Sequence, residues 1–143
     1  MVWEDFYVEF NQESSIYSQI IELLSSLFVR GDIKEGQRIP SIRDMALTLK
    51  VNANTMQRVY KEMERRGIII SKRGTGYFFT EDKSMVEKIG NKMVHESISR
   101  FLGEMRALGF SDKQILNGIS DYTEGGKQDE NIDATKGDRK KIL

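Results

Sequence analysis

A mainly α fold carrying one small β hairpin is predicted for this chain of 143 residues, and three observations predict it. Several stretches place apolar residues at i, i+3, i+4 and i+7, the spacing of one helix face. Two of these stretches, within "PSIRDMALTLKVNANTMQRVYKEMERRG", are parted only by Lys50-Val51-Asn52. Directly after them, "IIISKRGTGYFF" holds two β-favouring runs joined through Gly74 and Gly76, a hairpin signal.

Each element follows from its residues. Positions 1–14 contain Trp3, Phe6, Tyr7 and Phe10 with little pattern and read as an arm with room for a short strand. Its aromatics are expected to pack on the body or on a second subunit. Ile16, Ile20, Leu23, Leu24, Leu27 and Phe28 predict a first helix stopped by Gly31, and "GDIKEGQRI" a turn leading to a short extended piece at Gln37–Ile39. Ser41 to Asp44 has the form of a capping box, opening a short helix over Ile42, Met45, Ala46 and Leu49. Asn52 is a suitable N-cap for the next helix, with Met56, Val59, Tyr60 and Met63 on its apolar face and Gly67 at its end. Strands are expected over Ile68–Ser71 and Tyr77–Thr80.

Beyond the hairpin, Ser84–Glu87 reads as a second capping box. A stripe through Val86, Ile89, Met93, Val94, Ile98, Phe101, Leu102, Met105 and Leu108 predicts a long helix broken at Gly109. Ser111–Gln114 is a third capping box, before Ile115, Leu116, Ile119 and Tyr122. From Glu124 the chain is polar and glycine-containing, and disorder is expected there. The expected organisation is therefore an arm (1–14), a winged helix-turn-helix (15–81), a helical pairing or effector unit (82–123) and a tail (124–143).

Composition removes several function classes. With no Cys there is neither a disulfide framework nor a thiolate zinc site. The opening "MVWEDFYVEF" is acidic and aromatic, unlike a signal peptide, and no apolar run reaches membrane-spanning length. A cytoplasmic protein without membrane contact is expected. No nucleophile–base pairing, phosphate loop or metal-ligand cluster stands out, so no enzyme, cofactor or metal is expected. His95, the one histidine, reads as a surface or packing residue, and the methionines as core filler.

Charge is unevenly spread. Net charge is zero, yet residues 34–73 hold ten basic and four acidic side chains, leaving twelve basic and eighteen acidic elsewhere. A polyanion would meet the middle of the chain. A helix-turn-helix sets its second helix into the DNA major groove, which is about 12 Å wide and admits one helix. At about 100° per residue, Asn54, Arg58, Lys61 and Arg65 fall opposite the apolar face, with Thr55 and Gln57 flanking them. Asn suits adenine and Arg suits guanine in bidentate pairing. Lys72 and Arg73 lie at the hairpin tip beside Gly74, where a small residue allows close approach to phosphate.

With these residues in place, "GDIKEGQRIPSIRDMALTLKVNANTMQRVYKEMERRGIIISKRGTGYFF" resembles the winged-helix domain of GntR-type bacterial transcription regulators. "VNANTMQRVY" and "ALGFSDKQIL" resemble its YtrA-like subfamily. The resemblance implies a homodimer that binds a double-stranded operator and usually represses. It implies DNA contacts from Ser41 and Arg43, from Asn52, Asn54, Thr55, Gln57 and Arg58, and from Gly74 in the wing. Family members commonly have Arg where this chain has Ala53, which shifts the expected readout toward Asn54 and Arg58. The stripe on the last two helices cannot bury itself alone, so Ile98, Phe101, Leu102, Met105, Leu108, Ile115 and Ile119 are expected to pair with a twin, the alternative being that these helices pack back on the winged-helix domain. A small hydrophobic effector between subunits stays open, and no residue pattern names one. Two other classes stand beside this reading: a winged-helix module docking on an acidic protein, and an enzyme, which would need a deep cleft lined by reactive groups.

Overall fold

The computed structural model describes residues 3–129, which fall into two compact units, one ending at Asn91 and the other starting at Lys92. Element order is α1 (Ile16–Arg30), β1 (Arg38–Ile39), α2 (Ile42–Leu49), α3 (Ala53–Arg65), β2 (Ile69–Lys72), β3 (Gly76–Phe79), α4 (Lys83–Ala107) and α5 (Asp112–Asp129). Mainly helical with a small antiparallel sheet, this is the predicted fold class.

In the first unit, Ser15 caps α1 by accepting from the Ser18 amide, and Gly31 closes it in a left-handed conformation at φ 84°. The short second helix is capped by Ser41, whose Oγ accepts the Asp44 amide at 3.1 Å. Lys50, at φ 55°, ends α2 in the left-handed region, where few side chains are at ease. That single residue reverses the chain tightly enough for Asn52 to cap α3 at once.

The three helices and the sheet enclose one core. α1 contributes Leu23, Leu24 and Phe28, α2 Met45 and Leu49, α3 Met56, Val59, Tyr60 and Met63, and the sheet Ile39, Ile69 and Phe79. Burying each apolar side chain of this size is worth about 1.5–3 kcal/mol. Turning α3 about its axis would therefore expose several such groups, and the opposite face of α3 is held toward solvent.

The sheet has order β1-β3-β2, with Ile39 opposite Tyr77 and Ile69 opposite Phe79. Sequence patterning predicted the hairpin but not the pairing of β1 with it, because a two-residue strand is too short to show a period. The strands run one residue out of step with expectation, at Ile69–Lys72 and Gly76–Phe79. No strand forms in the described part of the arm; Trp3–Asp5 make a single 3-10 turn and Phe6 enters the core. Gln19, buried on α1, ties the arm down: its Nε2 donates to the carbonyls of Ser14 (2.7 Å) and Asn11 (3.0 Å).

The start of α4 differs from the expected box. Asp82, not Ser84, caps it, its Oδ1 accepting from both the amide (2.9 Å) and hydroxyl (2.7 Å) of Ser84. A carboxylate that can take two bonds outcompetes a hydroxyl two residues later, and these bonds lower the Asp82 pKa. Val86 and Ile89 pack on the core of this unit.

In the second unit, α4 ends at Gly109 (φ 89°) and α5 begins with the full reciprocal box. Ser111 Oγ accepts from the Gln114 amide (3.2 Å) while Gln114 Oε1 accepts from the Ser111 amide (2.9 Å). Arg106 clasps Asp112 through two bonds of 2.9 and 3.1 Å. Helix α5 runs past Tyr122 to Asp129, so the expected disorder does not begin at Glu124; one helical turn of support comes from Ser120 Oγ against Glu124 Oε1 at 3.3 Å. The remainder of the expected tail, 130–143, lies outside the described residues.

Candidate nucleic-acid interface

The candidate interface is built on α3. Asn52 Oδ1 accepts the Asn54 amide at 2.7 Å, which satisfies one of the free donors at the helix start. One lone pair of that oxygen is thereby committed to the cap, which fixes the side chain with its amide NH2 available to donate. Asn54, Gln57, Arg58 and Lys61 are exposed, and Thr55 is half-buried. The polar stripe therefore faces solvent across the helix from Met56, Val59 and Met63, as its spacing predicts.

Two aromatic residues hold α3 at its height in the fold. Tyr60 donates its hydroxyl to the Pro40 carbonyl at 2.7 Å, and its ring meets Tyr77 of β3 edge-on at 5.0 Å. Burial, then the charges of Tyr77 and Asp44, push the Tyr60 pKa well above the ordinary tyrosine range, so the hydroxyl keeps its proton and stays a donor. This bond links α3 to the approach of α2, where Ser41 and Arg43 are exposed. Ser41 Oγ accepts within its own helix but retains its proton for an outside acceptor.

The far end of the stripe behaves differently. Arg65 is bound through two nitrogens to Glu62 (2.6 and 2.9 Å), and Arg66 Nε reaches the same carboxylate at 2.8 Å. Hydrogen bonds from both guanidiniums pull the Glu62 pKa down to about 2. Glu62 therefore stays ionised at neutral pH and locally offsets the last two cations of α3. The positive charge of α3 not offset by Glu62 is therefore that of Arg58 and Lys61, in the middle of the helix.

At the wing, the Thr75 amide donates to the Lys72 carbonyl at 2.9 Å, closing a tight turn. Gly74 occupies its third position at φ 76°, the place that favours glycine. Lys72 Nζ sits 4.6 Å from the centre of the Phe78 ring, and Arg73 and Gly74 are exposed at the tip.

Three participants escaped the sequence reading. Arg38 of β1 lays its guanidinium over Gly76, 3.5 Å from where a Cβ would be. Glu62 neutralises Arg65 and Arg66; its i, i+3 and i, i+4 spacing to them was the available signal. Tyr17 of α1 carries the Arg58 guanidinium over its ring at 4.7 Å, and no local spacing links residues so far apart in sequence.

Of the expected pairing residues, Ile98, Phe101, Leu108 and Ile119 are exposed, Leu102 and Met105 half-buried, and Ile115 buried at 5%. Ile115 thus packs within its own chain. Among the described residues no three His, Asp or Glu side chains gather where a metal could bind, and no helix is long and apolar enough to cross a membrane.

A short turn, a capped helix with an outward polar face, and a basic wing define a winged helix-turn-helix regulator of transcription. The chain belongs to the GntR family of bacterial regulatory proteins: the family model matches residues 16–79. It is 39% identical over 118 residues to the uncharacterized HTH-type transcriptional regulator YhcF of Bacillus subtilis, covering 82% of this chain and 98% of that one. To the HTH-type transcriptional repressor YtrA of the same organism it is 31% identical over 119 residues, covering 80% and 92%. A solved GntR family transcriptional regulator from Listeria monocytogenes superposes with a TM-score of 0.72 at 34% identity, over 78% of this chain and 97% of that chain.

Proposed function

We propose that this regulator is a cytoplasmic homodimer that represses transcription by occupying a near-palindromic operator. The observation that carries the reading is the outward face of α3, where Asn54, Arg58 and Lys61 stand exposed opposite a fully buried apolar face. On this reading Asn54 and Arg58 contact base edges, with Thr55 and Gln57 beside them. Ser41, Arg43, Asn52 and Lys61 contact backbone, and Lys72, Arg73 and Gly74 bring the wing against phosphate or into the minor groove. Repression is supported by the similarity to a relative described as a transcriptional repressor.

Residues 15–81 are assigned to DNA binding and 82–123 to association. Association is supported by the apolar side chains left open on α4 and α5: Ile98, Phe101, Leu108 and Ile119 are exposed by 52, 38, 69 and 42%. Two-fold pairing would set the two α3 helices about 34–36 Å apart, or a multiple of that, and a palindrome would mirror it.

Selection of bound fragments from random duplex DNA tests the proposal. A palindromic consensus is expected, with affinity that falls steeply as salt rises. Recovery of no preferred sequence would refute operator recognition and return the basic face to the docking reading.

A further inference from the structure

Arg58 is the cation best placed to read a base, yet an exposed arginine on a bare helix samples many rotamers and must be ordered when it binds. Here it is already partnered. Its guanidinium carbon lies 4.7 Å from the centre of the Tyr17 ring, within the range of a cation–π contact. Tyr17 belongs to a different helix and is itself held: it is half-buried, packed against the hydrophobic core, and two residues from the N-cap of α1. Beyond Arg58, the next exposed arginine on the same face of α3 is Arg65, and that one is bound to Glu62. The two guanidiniums on this face are thus held in different ways, one on a neutral ring and one by a carboxylate. A neutral ring offers no carboxylate oxygens to accept N–H bonds, so contact with it does not use up the guanidinium's donors, whereas the Glu62 carboxylate takes up those of Arg65 directly.

We propose that Tyr17 is a positioning residue for DNA readout: its ring holds Arg58 with the donor edge turned outward, so that base preference at the position Arg58 reads depends on a side chain of α1. The proposal rests on the reading of α3 as the DNA-contacting helix. It assigns α1, otherwise a scaffold helix, a part in specificity. An arginine side chain loses rotamer freedom when it is ordered, and a rigid platform reduces that loss before DNA arrives.

The test uses the full chain and its selected duplex, with single-base variants at each position. Replacing Tyr17 by Leu removes the platform but keeps an apolar side chain. It is expected to weaken binding to the selected duplex about two- to fivefold, the scale of an exposed cation–π contact. The loss should be confined to the base that Arg58→Ala also relaxes, with binding to random duplex unchanged. Tyr17→Phe keeps the ring and is expected to restore the preference. In a double-mutant cycle, Tyr17→Leu should add almost nothing once Arg58 is Ala. Equal weakening on every duplex, additivity with Arg58→Ala, or an unaltered base profile in Tyr17→Leu would each overturn the positioning role while leaving DNA binding intact. Failure to select any duplex, or no effect of Arg58→Ala, would overturn it together with the readout assignment on which it rests.

Discussion

At the scale of single residues, charge on α3 is arranged by partners as much as by position. Arg58 and Arg65 both lie on the polar stripe, but Arg65 is bound to the Glu62 carboxylate whereas Arg58 lies over the Tyr17 ring. Replacing Arg58 with Ala is expected to cost about 1–3 kcal/mol on the selected operator and to relax one base position; competition binding against single-base variants measures both. Replacing Glu62 with Gln frees Arg65 and Arg66. Affinity for random duplex is expected to rise, and the slope of log affinity against log salt to steepen by about one or two contacts. The same carboxylate has a pH signature. Its pKa is about 2 in the folded chain against an ordinary 4.5. Its contribution to stability is therefore complete above 4.5 and is lost as pH falls toward 2. Thermal midpoints of the parent and Glu62→Gln should accordingly converge on acidification.

At the scale of elements, the turn between α2 and α3 carries the geometry. Lys50 holds a left-handed conformation at φ 55° without being glycine. Lys50→Gly is expected to stabilise the fold by roughly 0.5–1 kcal/mol, the left-handed cost of a residue with Cβ (about 1–2 kcal/mol) less the extra chain entropy glycine loses on folding (about 0.5–1 kcal/mol); denaturant unfolding would register the gain. Tyr60→Phe removes the bond to the Pro40 carbonyl and should cost about 1–2 kcal/mol. It should also weaken DNA binding, because α3 would lose its tether to the strand leading into α2. Most of these elements were legible from their residues. The caps at Ser41, Asn52 and Ser111 form where the sequence places them, because a cap involves groups only two or three residues apart. The cap of α4 was not, since Asp82 and Ser84 are both competent and the choice depends on how the chain leaves β3.

At the scale of the whole molecule, the apolar side chains left open on α4 and α5 are what the proposed pairing would cover. Phe101 and Ile98 are exposed by 38 and 52%. If a second copy covers them, Phe101→Glu should convert a dimer to a monomer in light scattering. Affinity for the full palindrome should then fall by about a hundredfold or more as the two half-sites cease to be linked, with half-site affinity little changed. Ile115 is a poorer position for such a test. It is already buried in its own chain, and a charge there would disturb the chain itself.

The sequence by itself determined the helices, the caps at Ser41, Asn52 and Ser111, the tight turn and the direction in which α3 presents its polar face. All of these follow from periodicity and from contacts between near neighbours in the chain. Only the tertiary structure decided that β1 joins the hairpin, that Phe6 enters the core, that Glu62 holds both Arg65 and Arg66, and that Tyr17 lies beneath Arg58. The physical reason is reach. Local backbone preference and helix spacing fix which way a side chain leaves its own element. What it meets there is set by the packing of distant segments, which no short window of residues contains.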